Sequence, residues 1–254
     1  MFYLIGLGLQ PEHLTLEALE ALKKCNAVYV DAFTSVYASG SVKFLEGLLG
    51  KKAELLNRKE VEENFSYHLD HAKKENIALC VFGAPLFATT HIQLLLDCQE
   101  KGVEWKVLEG ISVQSCLPET GLDAYKFGRT ITIVAPKEGY APESFFDVLE
   151  SNCRQGMHTL CLLDLELEKK KLMESCEGAS LLLKIAEKRG LLEWAENLPC
   201  IAIAGLGGQK PEVVQGSLKE LAKKKLKAFP QSLIVCGMLS EKESEAVQLW
   251  EAEK

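Results

Sequence analysis

The chain has 254 residues, long enough for one large or two small domains, and with 47% hydrophobic residues it can build a substantial core. Its net charge of −7 argues against a nucleic-acid binder that relies on phosphate contacts. No uncharged apolar stretch approaches the roughly 18 residues of a membrane span, and no basic, leader-like segment stands at Met1–Ile5.

Hydrophobic spacing divides the first third into alternating strands and helices. Phe2–Ile5 reads as a strand, and Thr15–Lys23 as a helix with Leu16, Leu19 and Leu22 on one face. Ala27–Val30 is a strand, and Glu60–Lys74 is a polar helix carrying Tyr67, His68 and His71. Ala78–Phe82 is an apolar run without alternation, as expected of a strand covered on both faces. Ile92–Glu100 is a helix and Trp105–Leu108 a short strand. Strands interleaved with helices imply βαβ units and a mainly parallel sheet. Around Gly110–Gly128 the texture turns short and small-residue rich, which places a domain boundary there, giving domains 1–111 and 112–254. The second half has expected strands at Thr130–Val134, Thr159–Leu163, Cys200–Ala204 and Ser232–Cys236. Helices are expected at Glu143–Cys153, Leu181–Lys188, Glu212–Lys224 and Glu241–Ala252, with a mixed sheet. The runs Lys169–Lys171 and Lys223–Lys225 read as solvated faces.

The chemistry-bearing signals lie in loops. Gly83-Ala84-Pro85-Leu86-Phe87-Ala88-Thr89-Thr90-His91 leaves the apolar strand at its carboxyl end, where open α/β sheets bind ligands. Ile5-Gly6-Leu7-Gly8-Leu9 is half of a dinucleotide fingerprint, but Pro11 stands where a third glycine is needed, so a pyrophosphate lacks its seat. A close backbone approach to a ligand without phosphates is the functional alternative to a plain tight turn. Ile203-Ala204-Gly205-Leu206-Gly207-Gly208 echoes this loop in the second half. The nine cysteines show no C-x-x-C spacing; Cys80, Cys161, Cys200 and Cys236 sit in apolar runs and read as small buried hydrophobes, in keeping with a reducing cytoplasm. No P-loop, HExxH or GxSxG occurs. His68 and His71 have no third metal ligand nearby, so no metal is expected, and structural roles are expected for His91 and His158.

Several segments together resemble one family. Phe2–Leu9 is similar to the start of the tetrapyrrole-methylase-like S-adenosylmethionine enzymes, the diphthine synthases in particular. Asp31-Ala32-Phe33-Thr34-Ser35 resembles their E-x-Y-T-S, and Gly83–His91 resembles G-D-P-x-x-A-T-T-H. Tyr125–Thr130 resembles Y-K-F-G-x-T, and Pro142–Asp147 and Gly156–Asp164 match the second domain. The matches keep family order over nearly the whole chain.

The resemblance implies an α/β methyltransferase of two α/β domains, the first mainly parallel and the second mixed, with S-adenosylmethionine in the interdomain cleft. It also implies a cytoplasmic homodimer. The implied substrate is translation elongation factor 2, methylated on its modified histidine during diphthamide synthesis; neither nucleic acid nor membrane is an implied partner. Carried over by position, the cofactor contacts fall at Leu9, Ala84, Phe87, Ser112, Val113, Leu163, Ala204 and Phe229. No catalytic base is named, because the sulfonium supplies its own leaving group and the protein's task is alignment. Ala84 stands where the family has Asp, Glu109–Val113 where it has N-A-S-I, and Gln231 where it has His. These departures keep two alternatives open: another substrate on the same fold, or a weakened binding homologue.

Overall fold

The computed structural model describes residues 1–167 and 171–250. It divides into two compact units. The first comprises Met1–Ser115, Glu166–Lys171 and Gly207–Gln209; the second comprises Cys116–Leu165, Leu172–Leu206 and Lys210–Lys254.

The first unit holds a five-stranded sheet in the order β3-β2-β4-β1-β5, from β1 (Phe2–Gly6), β2 (Ala27–Asp31), β3 (Glu54–Leu56), β4 (Ile77–Val81) and β5 (Trp105–Leu108). Every pairing is parallel. The unbroken apolar run of β4 has its expected cause. Ile77, Leu79 and Val81 pack into one core with Phe65, Leu69 and Leu94. Ala78 and Cys80 pack into another with Ala18, Leu22 and Leu45. The helices on these faces are α1 (Leu16–Lys24), α2 (Val42–Leu49), α3 (Arg58–Glu62), α4 (Ser66–Ala72) and α5 (Ile92–Lys101). The single helix expected over Glu60–Lys74 is two: Asn57 and Glu60 cap α3 reciprocally, and α4 starts only after the buried Phe65. A short α6 (Val113–Cys116) follows β5.

The second unit carries β6 (Ile131–Ile133), α7 (Ser144–Arg154) and β7 (Thr159–Leu163), while the two-residue strands β8 (Leu165–Glu166) and β9 (Lys171–Leu172) are divided between the units. It continues with α8 (Ser175–Lys188), α9 (Leu192–Glu196), β10 (Pro199–Ala204), β11 (Glu212–Ser217), α10 (Leu218–Leu221), β12 (Gln231–Val235) and α11 (Glu241–Ala246). Its main sheet runs β11-β10-β12-β7-β6 and is mixed, only β6 and β7 being parallel. One expectation fails here. The helix expected over Glu212–Lys224 is a strand from Glu212 to Ser217 along all of β10, and only Leu218–Leu221 is helical. Val213 and Val214 favour a pleated surface, and Ser217 starts the helix by a capping box with Glu220. The last helix stops at Ala246, a 3-10 turn covers Val247–Trp250, and residues 251–252 of the expected helix lie outside the described residues. So do Lys169 and Lys170. Among the described residues no helix is long and apolar enough to cross a membrane.

Candidate functional site

The carboxyl ends of three adjacent strands meet in the first unit. Gly6 closes β1, Gly83 follows β4 and Gly110 follows β5. A Cβ on Gly6 would lie 2.5 Å from Gly110 N and 2.7 Å from Gly83 O, and one on Gly110 would collide with Gly83 O. Glycine is therefore needed because backbone meets backbone. Gly8 and Gly83 exchange N–H···O bonds of 3.2 and 2.8 Å, which ties the first glycine loop to the Gly83–His91 turn. This convergence brings five of the sequence-selected residues to one end of one sheet: Leu9, Ala84, Phe87, Ser112 and Val113.

Their surroundings decide what they can offer. Leu9 and Ser112 are buried, while Ala84 and Phe87 are half-buried. The Leu9 amide donates to His13 Nδ1 at 3.3 Å, and the Ser112 amide donates to Ser115 Oγ at 3.1 Å. The Ser112 amide, expected to face a ligand, is thus already engaged; its hydroxyl is not, among the described residues. His13 was not singled out by sequence, and its role follows only from the turn that brings it under Gly8.

The Gly83–His91 turn is held by its own side chains. Thr89 Oγ1 donates to the Pro85 carbonyl at 2.8 Å, Thr90 Oγ1 donates to Glu62 at 3.0 Å, and Ala88 adopts a left-handed φ of 55°. His91 is buried, with Nδ1 3.2 Å from Pro85 O and Nε2 3.1 Å from Asp31 Oδ2. The Asp31 carboxylate accepts the amides of Phe33 and Thr34 at 2.8 and 3.0 Å and the Thr34 hydroxyl at 2.6 Å. Arg58 stacks 5.1 Å over Phe33.

Among the described residues, the buried side-chain polar atoms without an aligned partner are Gln10 Oε1, the Tyr37 hydroxyl and His91 Nε2. All three lie on loops following β1, β2 and β4. His91 Nε2 lies against Asp31; buried polar atoms are normally paired, so the other two, both at this sheet end, are what a ligand-binding end would show. With the apolar faces of Leu9 and Phe87, an acceptor at Gln10 Oε1 and a hydroxyl at Tyr37 fit a nucleoside bearing an amino-acid tail.

In the second unit, Leu163 ends β7, Ala204 ends β10, and Phe229 precedes β12 with a cis bond to Pro230. The strand directions place all three at one end of that sheet. Gly205 N donates to Pro230 O at 2.8 Å. Leu163 points into the core, close against the Cβ-free face of Gly178 on α8, so it can offer a ligand little but backbone. Gln231, which stands where the resemblance expects His, is fully used. Its Oε1 accepts Ser175 N and Oγ at 2.8 and 3.0 Å, and its Nε2 donates to Leu226 and Ala228 carbonyls at 3.3 and 3.1 Å. A cavity of about 540 Å³ opens at the opposite end, lined by Pro199, Cys200, Gln215, Ser217 and Cys236, and none of the sequence-selected residues reaches it.

The Tyr125–Thr130 and Gly156–Asp164 segments meet around a residue that sequence reasoning missed. Glu243, on α11, is buried and accepts Asp123 N and His158 Nε2 at 2.9 and 2.8 Å, together with Lys126 Nζ. Gly237 N donates to His158 Nδ1, so the ring proton sits on Nε2. Burial alone would raise the Glu243 carboxyl, but Lys126, the Ser240 and Asp123 amides and His158 hold it well below its ordinary 4.5. Burial pushes His158 below its ordinary 6.5, with Glu243 opposing. The expected burial of Cys80, Cys161, Cys200 and Cys236 is found, and desolvation raises all four thiols, Cys236 to about 12. His68 stacks 4.3 Å from Tyr29, and His71 lies 3.4 Å from Glu75.

A family model for Tetrapyrrole (Corrin/Porphyrin) Methylases matches residues 1–222. The chain belongs to the tetrapyrrole methylase family. It is 35% identical over 249 residues to a diphthine synthase of Methanococcus vannielii, covering 98% of both chains. It is likewise 35% identical over 253 residues to that of Methanocaldococcus jannaschii, again covering 98% of both. A solved structure of a diphthine synthase aligns with a TM-score of 0.88 at 26% identity, over 99% of this chain and 96% of that one. A structure from Entamoeba histolytica gives 0.91 at 28%, over 100% and 99%. The chain is therefore an S-adenosylmethionine-dependent methyltransferase of the diphthine synthase kind. The alternatives of another substrate or a weakened homologue are not favoured by these full-length relatives.

Proposed function

We propose that this methyltransferase moves methyl groups from S-adenosylmethionine to the modified histidine side chain of translation elongation factor 2, and that it works as a cytoplasmic homodimer. The observation that carries the reading is the meeting of Gly6, Gly83 and Gly110, which gathers Leu9, Ala84, Phe87, Ser112 and Val113 at one sheet end. In this reading Leu9 and Phe87 hold the adenosine, and the Ser112 hydroxyl and the backbone from Ala84 hold its polar end. Leu163, Ala204 and Phe229 enter on the resemblance alone, and the division at 111/112 on the change of sequence texture around Gly110–Gly128.

The donor supplies a sulfonium that makes its methyl group transferable. The chain's own residues bind, orient and exclude water, which is what a displacement of this type requires of a protein. Neither His91 nor His158 is placed as a base: one is braced against Asp31, the other held by Gly237 and Glu243.

Titration with the product, S-adenosylhomocysteine, followed by calorimetry tests the reading. Saturable one-site binding by the wild type is expected, and none at millimolar ligand overturns it. The same titration on Ala84→Asp is expected to tighten binding about ten- to a hundredfold, since a charge-assisted hydrogen bond contributes about 1.5–3 kcal/mol.

A further inference from the structure

The loop that follows β4 is fixed by a device that its cofactor role alone does not require. The Pro85 carbonyl points back into the protein and receives both the Thr89 hydroxyl and His91 Nδ1. His91 is 1% exposed and Asp31 0% exposed, so the imidazole fills a dry space against the loop that follows β2. The Asp31 carboxylate is braced in turn by two amides and a hydroxyl, from Phe33 and Thr34. Pro85 O and Asp31 Oδ2 are both acceptors. A ring N–H at Nδ1 satisfies Pro85 O. His91 Nε2 lies 3.1 Å from Asp31 Oδ2 without an aligned hydrogen bond.

Neighbouring groups add to the brace. Glu62 accepts Thr90 Oγ1 and lies 3.8 Å from Arg58, whose guanidinium covers Phe33. Ala88 is kept at a positive φ inside the same turn. Strain of this kind persists only where the surroundings over-determine the backbone. The segment so held runs from Ala84 to Phe87.

We propose that His91, set against Asp31, is the positioning residue of the methyl-donor loop: it pins the Pro85 carbonyl and thereby fixes the backbone on which the donor rests. This inference rests on the assignment of that loop to the donor. His91 touches neither donor nor acceptor, and its effect passes through Pro85. The consequence is asymmetric. Loosening the brace lowers donor affinity, and once the donor is saturating the remaining alignment is restored and turnover recovers.

The test measures donor KM, kcat and S-adenosylhomocysteine binding in the full chain for Asp31→Asn, His91→Gln and Thr89→Val. Asp31→Asn keeps the shape and removes the charge. Thr89→Val removes the second bond to Pro85 O and leaves the buried pair intact, so it informs even where the other two fail to fold. Asp31→Asn and His91→Gln are expected to raise donor KM and product Kd at least tenfold with kcat within threefold of wild type; Thr89→Val is expected to raise both three- to tenfold. Binding within twofold of wild type in all folded variants overturns the inference. So does a fall in kcat at unchanged KM, which would place His91 in the chemistry. If the wild type itself does not bind S-adenosylhomocysteine, the donor reading fails first, and the variants are not needed to show it.

Discussion

Glu243 shows what a single residue can carry. It is 3% exposed, yet it keeps its charge because four donors converge on it. Removing one partner of a buried ionic cluster leaves the others unpaired, at a cost of about 3–5 kcal/mol. Glu243→Gln is expected to lose about that much in urea unfolding. The wild type also gains a defined acid response. Both Glu243 and His158 have folded pKa values below their ordinary ones, so the unfolded chain binds protons first as pH falls. Stability is expected to be full above pH 6.5, to begin falling below it as His158 contributes, and to fall further below 4.5 as Glu243 does. In Glu243→Gln the second fall is expected to shrink. None of this was legible in the sequence. Ser240-Glu241-Lys242-Glu243 reads as an ordinary helix start, and its partners His158 and Lys126 lie 85 and 117 residues away. Asp31, by contrast, was visible within a motif, though its hold on His91 was not.

At the scale of elements, the parallel sheet was the most legible feature. Its central strands are buried on both faces, and a continuous apolar run such as Ile77–Val81 states that directly. The strand Glu212–Ser217 was hidden because its residues pattern equally well as the start of a helix, and only pairing with β10 decides between them. The glycine loops were legible as turns, whereas their meeting depends on strand order, which no local pattern carries. That meeting makes a sharp prediction. Gly110→Ala places a methyl group against the Gly83 carbonyl, and overpacking of this kind costs about 1–3 kcal/mol. It is expected to weaken S-adenosylhomocysteine binding more than tenfold while circular dichroism stays unchanged. Gly47→Ala on α2, where a Cβ meets nothing within 4 Å, is the control and is expected to stabilise by about 0.5–1 kcal/mol.

For the whole molecule, two five-stranded sheets with cores of their own form the body of the described residues, and the similarity to diphthine synthases spans 98% of the chain. The family therefore applies to both units rather than to a shared fragment. Its departures from the resembled pattern are local. Gln231 has been absorbed into a hydrogen-bond network of its own, and Ala84 leaves the rest of its turn tied down by Thr89, Thr90 and His91. The measurement that bears most directly on the proposed function is transfer of labelled methyl from S-adenosylmethionine to elongation factor 2 carrying the diphthamide precursor. Label on the modified histidine, dependent on the precursor and inhibited by S-adenosylhomocysteine, is the expected result. A chain that binds the donor yet leaves that histidine unlabelled would contradict the account.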